Sequence, residues 1–180
     1  MKTAEEMANF CIENNTGSGM SKKWNIKHFT VVENQLSKGE VVLFAFVGLY
    51  NYISATKHDS NYAIAVTNKR IIAGQKKLFG ENVNIILRKH LNDVSKTTGA
   101  FMGTITIDTI KETFNIGTNK PEVNAIHKGV TRVLFEEEKE IVNVKPGKSN
   151  IEVLKEYKEL LELEIITKEE FNKKKLEVLG

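Results

Sequence analysis

The sequence predicts an α+β protein in which a run of short antiparallel strands lies between helical segments. Apolar residues recur at spacings of three and four near both ends of the chain. Between them the apolar pattern changes to short alternating stretches that are separated by turn residues. No helical pattern interrupts those stretches, which favours an antiparallel meander over a parallel sheet.

Residues 1–38 are predicted to form an N-terminal helical extension. Thr3 and Glu6 have the spacing of a capping box, and the helix that follows would bury Cys11 on its apolar face. Because Cys11 is the single cysteine of the chain, an internal disulfide is excluded. The glycines within residues 14–21 end this helix. A second helix would then present Trp24, His28, Phe29, Val32 and Leu36 on one face.

The strand signal begins with VVLFAFVGLY at residues 41–50, where both faces of the strand are apolar. Asn68-Lys69 suits a two-residue hairpin loop. Pro121 suits the first turn of a closing helix, which should extend to about Glu138. The stretches predicted as strands are 41–50, 62–67, 70–79, 83–87, 104–108 and 111–118.

After a predicted linker at 141–150, residues 151–180 indicate two short helices. Thr167 and Glu170 form a second capping-box pattern at the start of the last helix. Two helices of this length cannot bury enough apolar area to fold strongly alone. Their apolar stripe should therefore pack against the chain's own domain, a second copy of the chain or another protein. The residues predicted to make that protein contact are Leu154, Tyr157, Leu160, Leu161, Phe171 and Leu179.

This C-terminal pair resembles the SHOCT domain, a short helical module of bacterial proteins. The resemblance lies in a leucine-rich helix, the start Ile166-Thr167-x-Glu169-Glu170-Phe171, and the later Lys175, Leu176 and Leu179. Members usually have glycine before the paired isoleucines, where this chain has Glu164. The resemblance implies oligomerisation or partner binding through residues 151–180.

The middle of the chain, residues 39–140, resembles the bacterial PH-like domain of the YokE type. It implies a PH-like, strongly bent antiparallel sheet of about seven strands capped by a C-terminal α-helix. One strand therefore remains to be found, at 55–60 or 91–96. The stretches that carry the resemblance are VLFAFVG at 42–48, YISATKHD at 52–59, AVTNKRII at 65–72, LND at 91–93 and TITIDTIKETF at 104–114.

No motif indicates an enzyme, a metal site or a cofactor. His28, His58, His90 and His127 are scattered singly and lack the spacing that places two ligands on one metal. The net charge of +3 is small, although residues 41–118 hold nine basic and five acidic residues. That excess is too mild for a specific nucleic-acid binder. The apolar runs are too short to span a bilayer, and a cytoplasmic location is expected.

A basic patch offers an alternative site for anions or lipid headgroups. It would comprise Lys57, Lys69 and Arg70, on loops that lie near the open end of PH-like folds, together with Lys76 and Lys77 on an exposed strand. The apolar stretch Gly99–Gly103 is expected to form a bend with Phe101 packed inward, the alternative being a loop tip that dips into a membrane interface.

The sequence therefore predicts a non-enzymatic, cytoplasmic scaffold protein that oligomerises or docks through its C-terminal hairpin. The partner would be a second copy of the chain or another protein. Similar genes are common in phages and mobile elements, so modulation of a host protein is one form of this hypothesis. The alternative is a peripheral binder of anionic membrane or phospholipid that uses the basic PH-like domain.

Overall fold

A computed structural model describes residues 1–136, 150–162 and 166–179. The chain divides into two compact units, Met1–Glu136 and Glu137–Gly180. Within the described residues, no helix is both long enough and apolar enough to cross a membrane.

The first unit is built on one antiparallel seven-stranded sheet with the order β4-β3-β2-β1-β7-β6-β5. Strands that follow one another in the chain are neighbours in the sheet, except β4 and β5, which form its two edges. β7 pairs with β1 and so joins the two halves of the sheet. This is the bent antiparallel sheet of the α+β fold that the sequence predicts. The strands are β1 Val42–Tyr50, β2 Asn61–Thr67, β3 Arg70–Lys76, β4 Glu81–Leu87, β5 Leu91–Thr98, β6 Met102–Thr109 and β7 Thr113–Asn119.

Three helices accompany this sheet, and the capping signals in the sequence explain where the first two begin. Thr3 and Glu6 form both hydrogen bonds of the predicted capping box, and the Ser21 side chain caps the second helix. The third helix begins at Val123, two residues after Pro121, and continues into a π-helical turn at Arg132–Glu136. The helices are α1 Ala4–Glu13, α2 Lys22–Glu33 and α3 Val123–Thr131.

The structure corrects the strand predictions at three places. The missing strand is β5, at the second of the two predicted positions, and a single turn of 3₁₀ helix at Arg88–His90 precedes it. The strand predicted at 70–79 ends at Lys76, because the chain turns there into β4. The last strand begins at Thr113 rather than at Lys111.

The sheet is covered on both faces, which explains the doubly apolar β1. Phe44 and Phe46 point into a core that β5, β6, β7 and α3 complete. Ala45 and Val47 point the other way, into a second core formed with α1 and α2. Because β-strand side chains alternate between faces, a strand buried on both sides reads as a continuous apolar run.

The connection between α1 and α2 hydrogen-bonds to the edge of β1 that β7 leaves open. β1 and β7 pair only at Leu49↔Gly117 and Tyr50↔Ile116. Further along β1, Val47 N donates to Thr16 O (2.8 Å), and the Thr16 hydroxyl donates to Ala45 O (3.0 Å). The Ser18 hydroxyl donates to Val47 O (2.7 Å). This connection therefore satisfies backbone groups of β1 that would otherwise be unpaired.

The second unit contains two described helices, α4 Asn150–Glu162 and α5 Lys168–Leu179. The second predicted capping box is present: Glu170 N donates to the Thr167 hydroxyl (3.2 Å), and Thr167 N donates to the Glu170 carboxylate (2.8 Å). The predicted linker lies outside the described residues except for Asn150.

Candidate binding surfaces

One end of the sheet, here called the open end, carries three connections between strands. They are residues 51–60 between β1 and β2, 77–80 between β3 and β4, and 110–112 between β6 and β7. The register places them together, because β1 and β7 pair where β1 ends. Helix α3 lies at the other end of β6, where Gly103 directly contacts Val123.

A cavity of about 550 Å³, here called the mouth, opens at this end. Three acidic residues line it: Asp59 from the β1–β2 connection, Glu81 from the start of β4 and Glu112 from the β6–β7 connection. No lysine, arginine or histidine is among the lining residues. The mouth therefore carries negative charge, opposite to what an anionic headgroup requires. The lining is Tyr50, Asn51, Asp59, Tyr62, Glu81, Asn82, Val83, Asn84, Ile85, Ile86, Glu112 and Phe114.

Aromatic side chains form the inner wall of the mouth. The Tyr50 ring lies 4.8 Å from the Tyr62 ring and 5.7 Å from the Phe114 ring, measured between centroids. The Tyr62 hydroxyl accepts a hydrogen bond from Asn82 (2.8 Å). The Tyr50 hydroxyl is buried and has no hydrogen-bond partner among the described residues. Burial, with the charge of Glu112, raises the pKa of Tyr50 well above its usual range, so the hydroxyl stays protonated.

A second cleft, of about 800 Å³, lies beside the mouth and includes α2. Trp24 stacks on His28 there, with 3.7 Å between ring centroids, and His28 Nδ1 accepts a hydrogen bond from Lys76 N (3.1 Å). Burial, together with the charge of Lys27, lowers the pKa of His28 to about 4. This histidine is therefore neutral at pH 7 and fastens α2 to the end of β3.

The structure does not bring the five predicted cations of the basic patch together. Lys57, Lys76 and Lys77 belong to the open end, whereas Lys69 and Arg70 lie at the opposite end of β2. Lys76 forms an ion pair with Glu81 (3.3 Å). Lys69 donates to the Ser37 hydroxyl (3.1 Å).

Arg70 forms an ion pair with the buried Glu40 carboxylate, so its guanidinium is not free to bind an anionic ligand. Its guanidinium donates to both oxygens of Glu40, at 2.9 and 2.8 Å, and to Gln35 O at 2.7 Å. The Glu40 side chain is fully buried, and the Ser37 and Thr67 hydroxyls also donate to it. Sequence reasoning missed this pair because nothing in the local pattern around Arg70 indicates a partner thirty residues away.

Exposed apolar side chains lie on the three connections of the open end. Leu78 and Phe79 are each 88% exposed on the turn between β3 and β4. Ile53 and Ile110, on the other two connections, are about two-thirds exposed. Phe101 is 89% exposed on the turn between β5 and β6, at the end opposite the mouth, so the prediction that it packs inward is wrong. Phe101 lies beyond the last paired residues of the two strands, Thr98 and Gly103, where the chain turns.

The predicted protein-contact residues all lie in the second unit. Leu154, Tyr157, Leu160 and Leu161 are half-buried on α4, and Phe171 is half-buried on α5. The side chain of Leu179 lies outside the described residues. Leu176, which was not among the predicted contacts, is 74% exposed.

The described residues offer no arrangement that indicates catalysis. No three His, Cys, Asp or Glu side chains among them are grouped so that they could hold a metal ion. Cys11 is buried as predicted, and burial raises the pKa of its thiol to about 12. A thiol with so high a pKa is a poor nucleophile.

Comparison with known proteins gives one family match and several distant structural neighbours. The model of the family described as bacterial PH domain matches residues 36–132, more than half of the chain. None of the proteins with curated descriptions matches the chain.

Three solved structures are similar to parts of the chain at 18% identity or below. The N-terminal PH domain of Vps36 has 18% identity and a TM-score of 0.47, over 58% of this chain and 86% of that one. The C-terminal domain of an unknown protein from Leishmania infantum has 14% identity and a TM-score of 0.42, over 54% and 86%. Autoinhibited Vav1 has 7% identity and a TM-score of 0.40, over 81% and 23%.

Proposed function

This chain belongs to the bacterial PH domain family, and from that premise we propose that it is a scaffold protein whose C-terminal hairpin mediates oligomerisation or docking. PH domains are generally non-catalytic binding modules that engage proteins or lipids. The family match covers residues 36–132, so it does not explain the role of the hairpin formed by α4 and α5.

The observation that carries this proposal is the incomplete burial of the hairpin. The first unit fully buries many apolar side chains, whereas no hairpin residue of described exposure is fully buried. Tyr157 and Lys174 contact each other, with the ammonium 5.9 Å from the ring centroid. Leu176 remains 74% exposed on α5. A pair of three-turn helices of this kind gains most of its stability from packing against a partner. The resemblance to SHOCT modules supports the same role.

We expect the Leu176→Ala variant to weaken self-association about tenfold or more without lowering the melting temperature. Burying a leucine side chain contributes about 1.5–3 kcal/mol, and an exposed leucine stabilises its own fold little. Light scattering coupled to size-exclusion chromatography, over a dilution series of the full chain, measures the effect. The matched control is Lys175→Ala, the exposed neighbour on the same helix.

The same measurement separates the two forms of the proposal. Comparison of the full chain with a chain ending at Val144 should show the larger species only when the hairpin is present. If both are monomers at every concentration, oligomerisation is wrong and only docking to a different protein, such as a host protein, survives. Docking through the hairpin would then require that the full chain captures this different protein and that the shortened chain does not.

An anionic membrane surface is the second candidate partner, favoured by the exposed apolar side chains beside Lys57 and Lys77 at the open end. Against it, the mouth carries three carboxylates. We therefore expect no salt-sensitive flotation of the full chain with phosphatidylglycerol vesicles. Flotation that is lost in about 0.1 M salt, where exposed charges are screened beyond about 10 Å, and lost in a Lys57→Gln/Lys77→Gln variant would establish the membrane role instead.

A further inference from the structure

The mouth combines three features, and a ligand must complement all of them. They are a negative charge, an aromatic wall and one buried polar atom without a partner. None of them depends on the hairpin, so failure of the hairpin experiment leaves the mouth unaffected. Its volume of about 550 Å³ lies within the range of roughly 300–1,000 Å³ that is usual for ligand sites.

The negative charge of the mouth is only partly neutralised within the molecule. Glu81 pairs with Lys76 at 3.3 Å, and both side chains are about 40% exposed. Asp59 accepts a hydrogen bond from the uncharged Asn51 side chain (2.7 Å). Within residues 1–136, neither Asp59 nor Glu112 forms an ion pair. Two carboxylates, one on the β1–β2 connection and one on the β6–β7 connection, therefore remain available to a cation.

The Tyr50 hydroxyl is the buried polar group of the mouth with which a ligand would form a hydrogen bond. Tyr50 is 3% exposed, its ring is packed against Tyr62 and Phe114, and its oxygen lacks a partner among the described residues. A buried polar group without a partner is costly, so a natural protein rarely keeps one without a reason. The oxygen can accept a hydrogen bond from an N–H donor that enters between the carboxylates. The ring faces around it also attract cations.

The exposed apolar side chains of the open end favour a protein segment over a free small cation as the ligand of the mouth. Ile53, Leu78, Phe79 and Ile110 occupy all three connections of the open end and are exposed by 65% or more. Several exposed apolar groups at the end of the molecule that also carries a cavity are typical of protein interaction sites. A peptide that placed apolar side chains against them would present its central side chain to the mouth.

We propose that the mouth binds a lysine or arginine side chain of a partner protein segment whose neighbouring apolar residues pack against Ile53, Leu78, Phe79 and Ile110. Asp59 and Glu112 would pair with the cation, and Tyr50 would accept one of its hydrogen bonds. The partner is thus a basic, partly apolar peptide. An anionic lipid headgroup would meet the carboxylates and is disfavoured.

The test is a titration of the full chain with a fluorescent peptide that carries Leu-Arg-Leu between Gly-Ser spacers. Its matched control carries citrulline, which keeps the shape of arginine and removes the charge. We expect the citrulline peptide to bind at least tenfold more weakly. In ¹⁵N-labelled protein, the arginine peptide should shift the amide signals of Asn51, Asp59, Asn82 and Glu112.

Variants of the full chain locate the effect in the mouth. Asp59→Asn/Glu112→Gln should bind the arginine peptide at least tenfold more weakly. Tyr50→Phe should bind it several-fold more weakly while its melting temperature stays unchanged or rises, because the unpartnered hydroxyl is removed. Glu5→Gln, which alters an exposed carboxylate on α1 that pairs with Lys22, should bind as the natural chain does.

Three outcomes would overturn the proposal. The arginine and citrulline peptides could bind equally. The arginine peptide could cause no shift at these amides up to millimolar concentration. Phosphatidylglycerol vesicles or inositol hexakisphosphate could perturb the same amides more strongly than the arginine peptide does, which would assign the open end to an anionic ligand.

Discussion

Replacing Arg70 with alanine is expected to lower the free energy of unfolding by about 3–5 kcal/mol, because it leaves the buried Glu40 carboxylate without its counter-ion. The Glu40 side chain is fully buried, and Arg70 binds both of its oxygens. The remaining donors, Ser37 and Thr67, are uncharged. Urea denaturation at pH 7 measures the loss.

The control for Arg70→Ala is Lys76→Ala, which breaks an ion pair between partly exposed side chains. Exposed pairs contribute about 0.2–1 kcal/mol, so this control should lose no more than that. The contrast follows from desolvation, because the Lys76–Glu81 pair is partly exposed to water whereas the Glu40 side chain is fully buried. If Arg70→Ala lost less than about 1 kcal/mol, Glu40 would have to be hydrated or protonated in the native chain.

The Arg70–Glu40 ion pair also predicts that the stability of the fold decreases in acid. Burial acts to raise the pKa of Glu40, but hydrogen bonds from Arg70, Ser37 and Thr67 outweigh it and hold the pKa at about 2, below the ordinary 4.5. A lowered native pKa stabilises the fold above the unfolded pKa, and that contribution is lost as the pH falls from about 4.5 through 2. We expect about 3 kcal/mol of the natural chain's stability to disappear over this range, and much less in Arg70→Ala.

Arg70 also shows where reasoning from the sequence alone fails. Lys69 and Arg70 are adjacent in the chain, and a basic pair on a hairpin is a reasonable candidate for anion binding. Whether a cation faces solvent or a buried carboxylate depends on contacts between distant residues. Here the contact spans thirty positions, from Glu40 to Arg70. The mouth has the same character, because Asp59, Glu81 and Glu112 share no motif and only strand register places them around one cavity.

Local patterns, in contrast, predicted the elements whose signal is carried by neighbouring residues. Both capping boxes and the doubly apolar β1 were found because a few adjacent residues determine them. β5 escaped the pattern because it is an edge strand in which only Val94 is fully buried. An edge strand with one inward side chain shows no alternation. The resemblance to PH-like domains supplied the missing strand.

Replacing Gly129 with alanine is expected to destabilise the first unit by about 1–3 kcal/mol through overpacking. Gly129 lies on α3, and a Cβ at this position would fall within the ring of Phe44 on β1. That ring cannot move away freely, because it contacts the edge of the Phe10 ring at 5.3 Å and is only 5% exposed. At an unconstrained helical position the same change would stabilise by about 0.5–1 kcal/mol.

Overpacking against Phe44 would destabilise the Gly129→Ala variant, whereas the higher helix propensity of alanine would stabilise it. The sign of the measured change therefore tests whether α3 packs on the sheet at Phe44. Lys128→Ala, at the exposed neighbouring position, should change the free energy of unfolding by no more than about 0.5 kcal/mol. Combining Gly129→Ala with Phe44→Leu should cost less than the two separate changes together, because the smaller side chain leaves room for the added methyl group. If Gly129→Ala were instead more stable than the natural chain, α3 would not pack on Phe44, and the core that β5, β6, β7 and α3 complete would lack its helical cover.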